Sequence, residues 1–366
     1  MSYQLSNSPI SSQNLRLLVL KGTFSRFFSG FHRSFTDAEF LGCRFINFLD
    51  HPLTFTSCSS RIKTDDSYLG IKDSQFCNCL STSEPGGAVY AYNTGGTVNI
   101  TNCHFYACSS TGSFTVSYIS TVVKAGGGGC ALLCNKFYVK TCCFAKCHSI
   151  ERGPALFTAS TGTDDAEFNN SVIYQATGGT CPIHFTQGKD IMSNINSTSN
   201  TCINNAGGGF TFSGSRNLIQ FSIISNCVTT RIDPGVSARI FDFSLGSTSE
   251  TCRLCNIVNN SNMNSLKVVL FSYRYELLIH GFVFKQNDSP LCGTEVGSIY
   301  IENCVSDATN IGIAIKRDGN TLGVFPLSEL SLNISNICDM NNSITKPISK
   351  SFSMIFIMSY QVALII

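Results

Sequence analysis

The cysteines are the first residues to consider for chemistry, because 19 occur among 366 residues and 11 of them lie between Cys43 and Cys147. The spacings Cys130-x-x-x-Cys134 and Cys142-Cys143-x-x-x-Cys147 suggest zinc ligands. A zinc site typically has two Cys-x-x-Cys pairs, whereas this chain has one, Cys252-Arg253-Leu254-Cys255. The other interpretations are disulfides and reduced, buried thiols that act as small apolar residues. All three stay open at the level of the sequence.

Carboxylate pairs are the residues that cleavage or elimination of a polysaccharide would need. The candidates are Asp65-Asp66, and Asp164-Asp165 with Glu167. A further mixed-charge cluster consists of Arg231, Asp233, Arg239 and Asp242. The acid pairs lie in polar intervals, which favours solvated loop acids over a catalytic pair. The six histidines show no metal spacing, and no nucleophile elbow or phosphate-binding loop occurs. We therefore predict no catalytic, cofactor-binding or metal-binding residues, and no cofactor.

The composition excludes two classes of protein. A net charge of +2 provides no basic face for phosphates, so nucleic acid is not an expected partner. With 43% apolar residues and only 13% charged residues, the chain can bury a large core and is not disordered. The 28 phenylalanines and 30 glycines, in a chain rich in Ser, Thr and Asn, indicate a β protein with an uncharged surface.

Two sequence patterns recur and indicate what would position these side chains. An aromatic or aliphatic residue is followed three positions later by Cys or Asn, at intervals of about 23 to 39 residues. This pattern occurs at Phe76–Cys79, Phe105–Cys108, Phe144–Cys147, Ile224–Cys227, Ile257–Asn260 and Phe284–Asn287. A glycine pair that leads into apolar residues follows most copies, as in Gly86-Gly87-Ala88-Val89-Tyr90, Gly128-Gly129-Cys130-Ala131-Leu132 and Gly207-Gly208-Gly209-Phe210.

Short strands separated by turns connect these patterns, and no stretch has helical periodicity. The segment from Val98 to Phe105 alternates as a single strand would, with Val98 and Ile100 on one face and Cys103 and Phe105 on the other. Several strands per repeat predict a parallel β-helix with equivalent residues about 4.8 Å apart. Phe would form an inner ladder, and the Cys or Asn three residues later would occupy a left-handed corner. Stacking at this spacing allows disulfides among Cys79, Cys108 and Cys147. A β-sandwich is the alternative.

The two patterns together, Phe105-Tyr106-Ala107-Cys108 with Gly86-Gly87-Ala88-Val89-Tyr90, resemble the Pmp-like (polymorphic membrane protein-like) surface proteins of trichomonad protists. The resemblance covers about residues 40 to 345. It implies an all-β, single right-handed parallel β-helix of the pectate lyase (pectin lyase-like) architecture, displayed at a cell surface, with adhesion as the proposed role of family members.

The chain is predicted to have three segments. Residues 1–38 would form an irregular N-terminal cap, residues 39–345 the β-helix of about nine to eleven coils, and residues 346–366 an apolar tail. The N-terminus lacks the pattern of a secretory signal. The tail contains no charge from Phe352 to Ile366. Two interpretations of it stay open, a truncated membrane anchor and a final strand or cap that closes the solenoid.

The expected function is a non-enzymatic interaction protein, a possible adhesin, that is located at the cell surface, attached to a membrane or secreted. Its long faces would bind an unknown protein or glycan ligand. The alternative is a polysaccharide lyase or glycoside hydrolase on the same scaffold. Three or more converging charged side chains would favour the enzyme, whereas a face of Ser, Thr and Asn would favour binding.

Overall fold

The protein is described by a computed structural model. The described residues are 16–25, 31–33, 37–49, 52–56, 68–118, 121–159, 165–186, 189–203, 210–213, 216–230, 238–243, 250–262, 267–272, 276–287, 290–294, 297–324, 326, 328–332, 338 and 357–358. All regular structure among them is β, and successive coils of the chain pair in parallel to form three stacked sheets. The predicted parallel β-helix is confirmed, and its right-handed sense stays a prediction.

Sheet A, with 21 strands, contains two ladders that share two long strands, Val89–Thr101 and Cys130–Lys140. The other strands of the first ladder are Phe31–Arg33, Leu53–Thr56, Leu156–Ala159, Ile183–Thr186, Phe210–Ser213, Ala238–Phe243, Lys267–Ser272 and Cys292–Thr294. The other strands of the second ladder are Arg16–Leu20, Asp37–Leu41, Tyr68–Lys72, Asp165–Asn169, Lys189–Ser193, Arg216–Gln220, Glu250–Arg253, Glu276–His280, Ser298–Glu302 and Ile315–Lys316.

Sheets B and C complete each coil. The 12 strands of sheet B are Thr23–Ser25, Arg44–Ile46, Gln75–Cys77, His104–Tyr106, Cys143–Ala145, Val172–Tyr174, Asn196–Thr198, Ile223–Ser225, Asn256–Val258, Val283–Lys285, Val305–Ser306 and Thr321–Leu322. The seven strands of sheet C are Leu80–Ser81, Ser109–Ser110, His148–Ser149, Thr177–Gly178, Thr201–Cys202, Val228–Thr229 and Ser261–Asn262. A hairpin of Phe114–Tyr118 and Thr121–Ala125 interrupts one coil.

The described strands extend beyond the predicted segment boundaries. Arg16–Leu20 pairs in parallel with Asp37–Leu41, so stacking begins inside the segment predicted to be a cap. Ile357–Met358 pairs antiparallel with Leu17 and Leu18. The described part of the tail thus forms a strand beside the first rung. The remaining residues of 346–366 lie outside the described residues.

Phenylalanines form the predicted ladder inside the N-terminal coils, which we call the lower half of the solenoid; the C-terminal coils are its upper half. Phe24, Phe45, Phe76, Phe105 and Phe144 lie at the centres of successive sheet B strands. Their ring centroids are 5.1, 4.8, 4.8 and 4.6 Å apart, and each neighbouring pair is stacked. Such stacking adds about 0.5–1.5 kcal/mol per pair to the hydrophobic gain of burying the rings.

The predicted single strand from Val98 to Phe105 is wrong, because a corner divides it. Asn102 has φ 54° and separates the strand that ends at Thr101 from the strand that begins at His104. The left-handed residue breaks the alternation, so Val98, Ile100, Cys103 and Phe105 are all buried.

The corner after sheet B also differs from the prediction by one residue. In Phe105-Tyr106-Ala107-Cys108 the left-handed residue is Ala107, with φ 49°, whereas the expectation was Cys108. Cys108 is fully buried. We call this buried position, three residues after the centre of each sheet B strand, the corner slot. Where Cys or Asn occupies it, the small side chain hydrogen-bonds to buried backbone groups, whereas Phe48 and Ala176 fill it as apolar residues.

The glycine pairs are required by the close approach of neighbouring coils. Gly86 and Gly127 have φ of 82° and 74°. A Cβ on Gly87 would collide with the carbonyl oxygen of Gly128, and one on Gly128 would collide with that of His148. The pairs therefore let one coil lie against the next, as the sequence predicts. The triplet Gly207-Gly208-Gly209 lies outside the described residues.

Candidate functional site

A polar strip runs along the outer surface of the second ladder of sheet A. Its inward residues Ile100, Val139, Phe168 and Met192 are buried. By alternation, the intervening residues face outward and are half-buried. In four successive rungs these residues are Asn99 and Thr101, Tyr138 and Lys140, Glu167 and Asn169, and Ile191 and Ser193. We call these eight residues the open face.

Hydrogen bonds order the open face both along and across its rungs. The Lys140 Nζ atom lies 2.7 Å from the Glu167 Oε2 atom, and Asn169 Nδ2 donates to the same oxygen at 3.2 Å. Ser193 Oγ donates to Asn169 Oδ1 at 2.9 Å. The ammonium of Lys140 also lies 5.2 Å from the centroid of the Tyr138 ring. A half-buried ring beside pre-ordered donors and acceptors suits an extended polar ligand.

Glu167 is the one predicted acid whose side chain is described on this strip. The Lys140 ammonium ties it into an ion pair, and the two side chains are 41% and 25% exposed for Lys140 and Glu167 respectively. Asp165 begins the same strand two residues earlier. Asp65, Asp66, Asp164, Arg231 and Asp233 lie outside the described residues, and Arg239 and Asp242 lie in the strand Ala238–Phe243.

The described cysteines do not form a metal site. No group of three or more His, Cys, Asp or Glu residues in the described part of the chain is arranged to hold a metal ion. The predicted zinc ligand sets are divided between the inside and the outside of the coil. Cys142 and Cys147 are free thiols in the core, whereas Cys143 forms a disulfide with Cys338.

The suggested disulfides across neighbouring rungs are absent from the described residues. Cys79, Cys108 and Cys147 stack as free, fully buried thiols in the corner slot. Each donates to a carbonyl one rung below, for example from Cys108 Sγ to Phe76 O at 3.5 Å. Burial raises the pKa of the thiols of Cys79 and Cys147, and raises that of Cys77 to about 12. Cys77, Cys79 and Cys147 therefore behave as polar core residues and not as nucleophiles.

A buried histidine cluster is a feature that the sequence did not indicate. His184 is fully buried on the outer side of the first ladder, stacked on Phe157 with 5.3 Å between ring centroids. Arg152 Nη1 lies 3.4 Å from His184 Nε2, and Cys181 Sγ lies 3.6 Å from His184 Nδ1. A guanidinium can only donate, so Nε2 accepts and Nδ1 carries the proton.

The environment of His184 determines its charge. Burial, assisted by the positive charge of Arg152, holds the pKa of His184 well below its usual value. The ring is therefore neutral near pH 7 and closed to solvent. This cluster stabilises the outer side of the sheet and offers no access to a substrate.

Comparison with known proteins gives a distant structural likeness. No family model and no curated protein matches the chain. A structure of the Streptococcus pneumoniae surface protein and adhesin PfbA is 10% identical, covering 84% of this chain and 91% of that chain, with a TM-score of 0.28. A second structure of PfbA is 9% identical, covering 78% and 82%, with a TM-score of 0.27. The fold assignment rests on the strand pairings described above and not on these likenesses.

One structural finding bears on the predicted membrane attachment. Among the described residues, no helix is long and apolar enough to cross a bilayer.

Proposed function

We propose that the chain is a non-enzymatic interaction protein, secreted or displayed at a cell surface, whose open face binds a glycan or a protein. The observation that carries the proposal is the open face itself, in which Tyr138 lies beside hydrogen-bonded Lys140, Glu167 and Asn169. A ligand that crosses several rungs would gain small contributions from each, and the side chains are already ordered before it binds.

Two observations support a location outside the cytosol. The disulfide between Cys143 and Cys338 is of the kind that persists in oxidising compartments. The paired Phe-x-x-Cys and Gly-Gly-apolar patterns resemble those of Pmp-like surface proteins. Surface biotinylation of cells that express the full chain tests the location. Labelled protein is expected, and its absence from the labelled fraction would contradict surface display.

The ligand site can be tested by binding of the purified chain to glycan arrays and to immobilised cell-surface proteins. Tyr138→Ala is expected to weaken binding about tenfold or more, because a buried aromatic contact is lost. Tyr300→Ala is the matched control, since Tyr300 lies under a cation on the same ladder but outside the four rungs of the open face. Equal losses for the two variants would contradict the proposed face.

The competing proposal is a polysaccharide lyase or glycoside hydrolase. It is favoured by Glu167 beside Lys140, with Asp165 two residues away in the same strand. The test is release of product from acidic and neutral polysaccharides. An enzyme would lose product release with Glu167→Gln while retaining binding, whereas a binding protein releases no product in either form.

A further inference from the structure

The chain folds back along the outside of sheet B after its last coil. The segment concerned comprises residues 328–332 together with Cys338, and we call it the strap. Glu329 contacts Lys285, Leu330 contacts Asn256, and Cys338 is bonded to Cys143. The strap therefore runs from the C-terminal coils back towards the N-terminal coils.

The upper end of the strap is held by specific polar contacts. Asn256 Nδ2 donates to Leu330 O at 2.9 Å, and Leu330 N donates to Asn256 Oδ1 at 2.9 Å. One side-chain amide thus provides the pair of hydrogen bonds that a neighbouring strand would provide. Lys285 Nζ lies 3.0 Å from Glu329 Oε1 on the adjacent rung. Asn256 is 1% exposed, so its bonds to the strap are shielded from water.

The lower end of the strap is held covalently. Cys143 and Cys338 are 195 residues apart in sequence, and their Cα atoms are 5.4 Å apart. Four rungs separate Asn256 from Cys143 along sheet B. That distance is about 19 Å, which is within the reach of the eight residues from Leu330 to Cys338. The two attachments are therefore compatible with a strap that follows the sheet.

Outward side chains next to the two attachments are buried. Val283, beside the upper attachment, and Ala145 and Val172, beside the lower one, face away from the coil interior, yet they are only 4%, 4% and 5% exposed. Between the attachments the outward side chains are half-buried, as at Ile223 and Asn196, or exposed, as at Tyr174. Apolar surface is thus withdrawn from water at the two places where the strap is attached.

We propose that the outer face of sheet B is a binding site for an extended segment that carries Glu followed by an apolar residue. The site is occupied in cis by the strap and locked by the Cys143–Cys338 disulfide. A dithiol reductant opens the lock: its two thiols become a disulfide, and the sulfurs of Cys143 and Cys338 each gain an electron and a proton. Release exposes the apolar surface, and reoxidation closes it.

The experiment is hydrogen exchange and limited proteolysis of the full chain, read by mass spectrometry. Without reductant, peptide mapping is expected to find Cys143 linked to Cys338. With dithiothreitol, or in Cys338→Ser without it, exchange and cleavage between residues 326 and 338 should rise about tenfold or more, while the peptide 98–106 is unchanged. Dithiothreitol should have no further effect on Cys338→Ser.

Two further variants keep the test decisive. Asn256→Ala should loosen residues 328–332 with the disulfide intact, and Cys304→Ser, which alters a buried free thiol elsewhere, should respond as the wild-type chain does. Absence of the linked peptide, or a strap equally protected in Cys338→Ser, would overturn the proposal. So would a disulfide-linked dimer, because the occupant would then be a second copy.

Discussion

The lower and upper halves of the solenoid solve the same problem at the corner slot with different side chains. In the lower half the slot holds Cys79, Cys108 and Cys147, with Phe48 before them and Ala176 after them; in the upper half it holds Asn200, Asn260 and Asn287, with Cys227 among them. Cys108 Sγ donates to the carbonyl at the centre of the strand one rung below, and Asn260 Nδ2 donates to the equivalent carbonyl of its own neighbour at 3.0 Å. Where Cys or Asn occupies the slot, the shared property is therefore hydrogen-bonding capacity and small size, not chemical reactivity.

The acceptor side of the slot is also shared. A backbone hydrogen bond from Cys79 reaches the Cys108 thiol, and Cys227 N donates to Asn260 Oδ1 at 2.9 Å. Sulfur is a weaker partner than an amide. The lower half offsets this with stacked phenylalanines, whereas Ile224 and Ile257 lie at the equivalent centres of the upper half. The two halves thus rely on different interactions for a similar geometry.

The largest expected effect is on the aromatic stack of the lower half. Phe105→Ala should lower the free energy of unfolding by about 4 kcal/mol, because it removes the stacking contacts with Phe76 and Phe144 and leaves a cavity. Denaturant unfolding monitored by circular dichroism measures the loss. Tyr106→Ala, on the outer face of the same strand, is the matched control and should cost under about 1 kcal/mol.

In the upper half, Asn260→Ala should lower the free energy of unfolding by about 3 kcal/mol. The change removes the acceptor of the backbone N–H of Cys227, and it also removes the bonds that Asn260 Nδ2 donates to Ile224 O and to Asn287 Oδ1. The same unfolding measurement applies, with the outward-facing Asn196→Ala as control. A loss no greater than that of the control would show that the amide network contributes little.

Much of the lower half could be predicted from sequence, because its phenylalanines and glycine pairs recur within the same local patterns. The position of the corner could not, since Ala107 gives no sign of a left-handed conformation, and alternation across Asn102 looks continuous. Nor could Cys338 be assigned to Cys143, because the strap reverses direction through residues without a repeat. Such contacts depend on the completed fold and not on local pattern.

Substitutions of Cys108 test whether the corner slot needs a side chain that forms hydrogen bonds or only one of the right volume. Cys108→Val keeps the volume but loses both hydrogen bonds, so it should cost about 2 kcal/mol, whereas Cys108→Ser should cost about 1 kcal/mol. Serine serves in the equivalent position of the preceding corner, where Cys142 N donates to Ser171 Oγ at 3.0 Å. Unfolding in the presence of reductant measures both variants. If valine is tolerated better than serine, the slot is merely apolar and the comparison between halves fails.

The sequence patterns indicated neither the open face nor the burial of His184, for two different reasons. Glu167 is far from Tyr138 and Lys140 in sequence and becomes their neighbour only when coils stack. His184 lies on an outward position of its strand, where alternation predicts exposure, but it is covered and bonded to Arg152. Burial on the outer side of a sheet depends on what lies over it, and that is not encoded in the strand.

The smallest expected effect is the dependence of the free energy of unfolding on pH. Thiols with raised pKa values and neutral amides do not change their charge near neutral pH. His184 does respond, because its pKa in the folded chain is below the value of about 6.5 in the unfolded chain. As the pH falls through about 6.5, the unfolded chain therefore binds a proton that the folded chain does not. Its contribution to the free energy of unfolding should then fall by up to about 1.4 kcal/mol per pH unit, until the folded-state pKa is reached.

His184→Gln should remove this slope, and the measurement is denaturant unfolding between pH 5 and pH 8. Taking the difference between wild-type and variant curves cancels the contribution of other buried acids such as Asp190. Thr111→Ser, at an exposed position without a titratable group, is the control and should keep the wild-type slope. Parallel curves for wild type and His184→Gln would mean that the ring takes up a proton as readily in the folded chain as in the unfolded chain. Arg152 would then have to lie away from Nε2, because two cations at 3.4 Å in a buried site would repel each other.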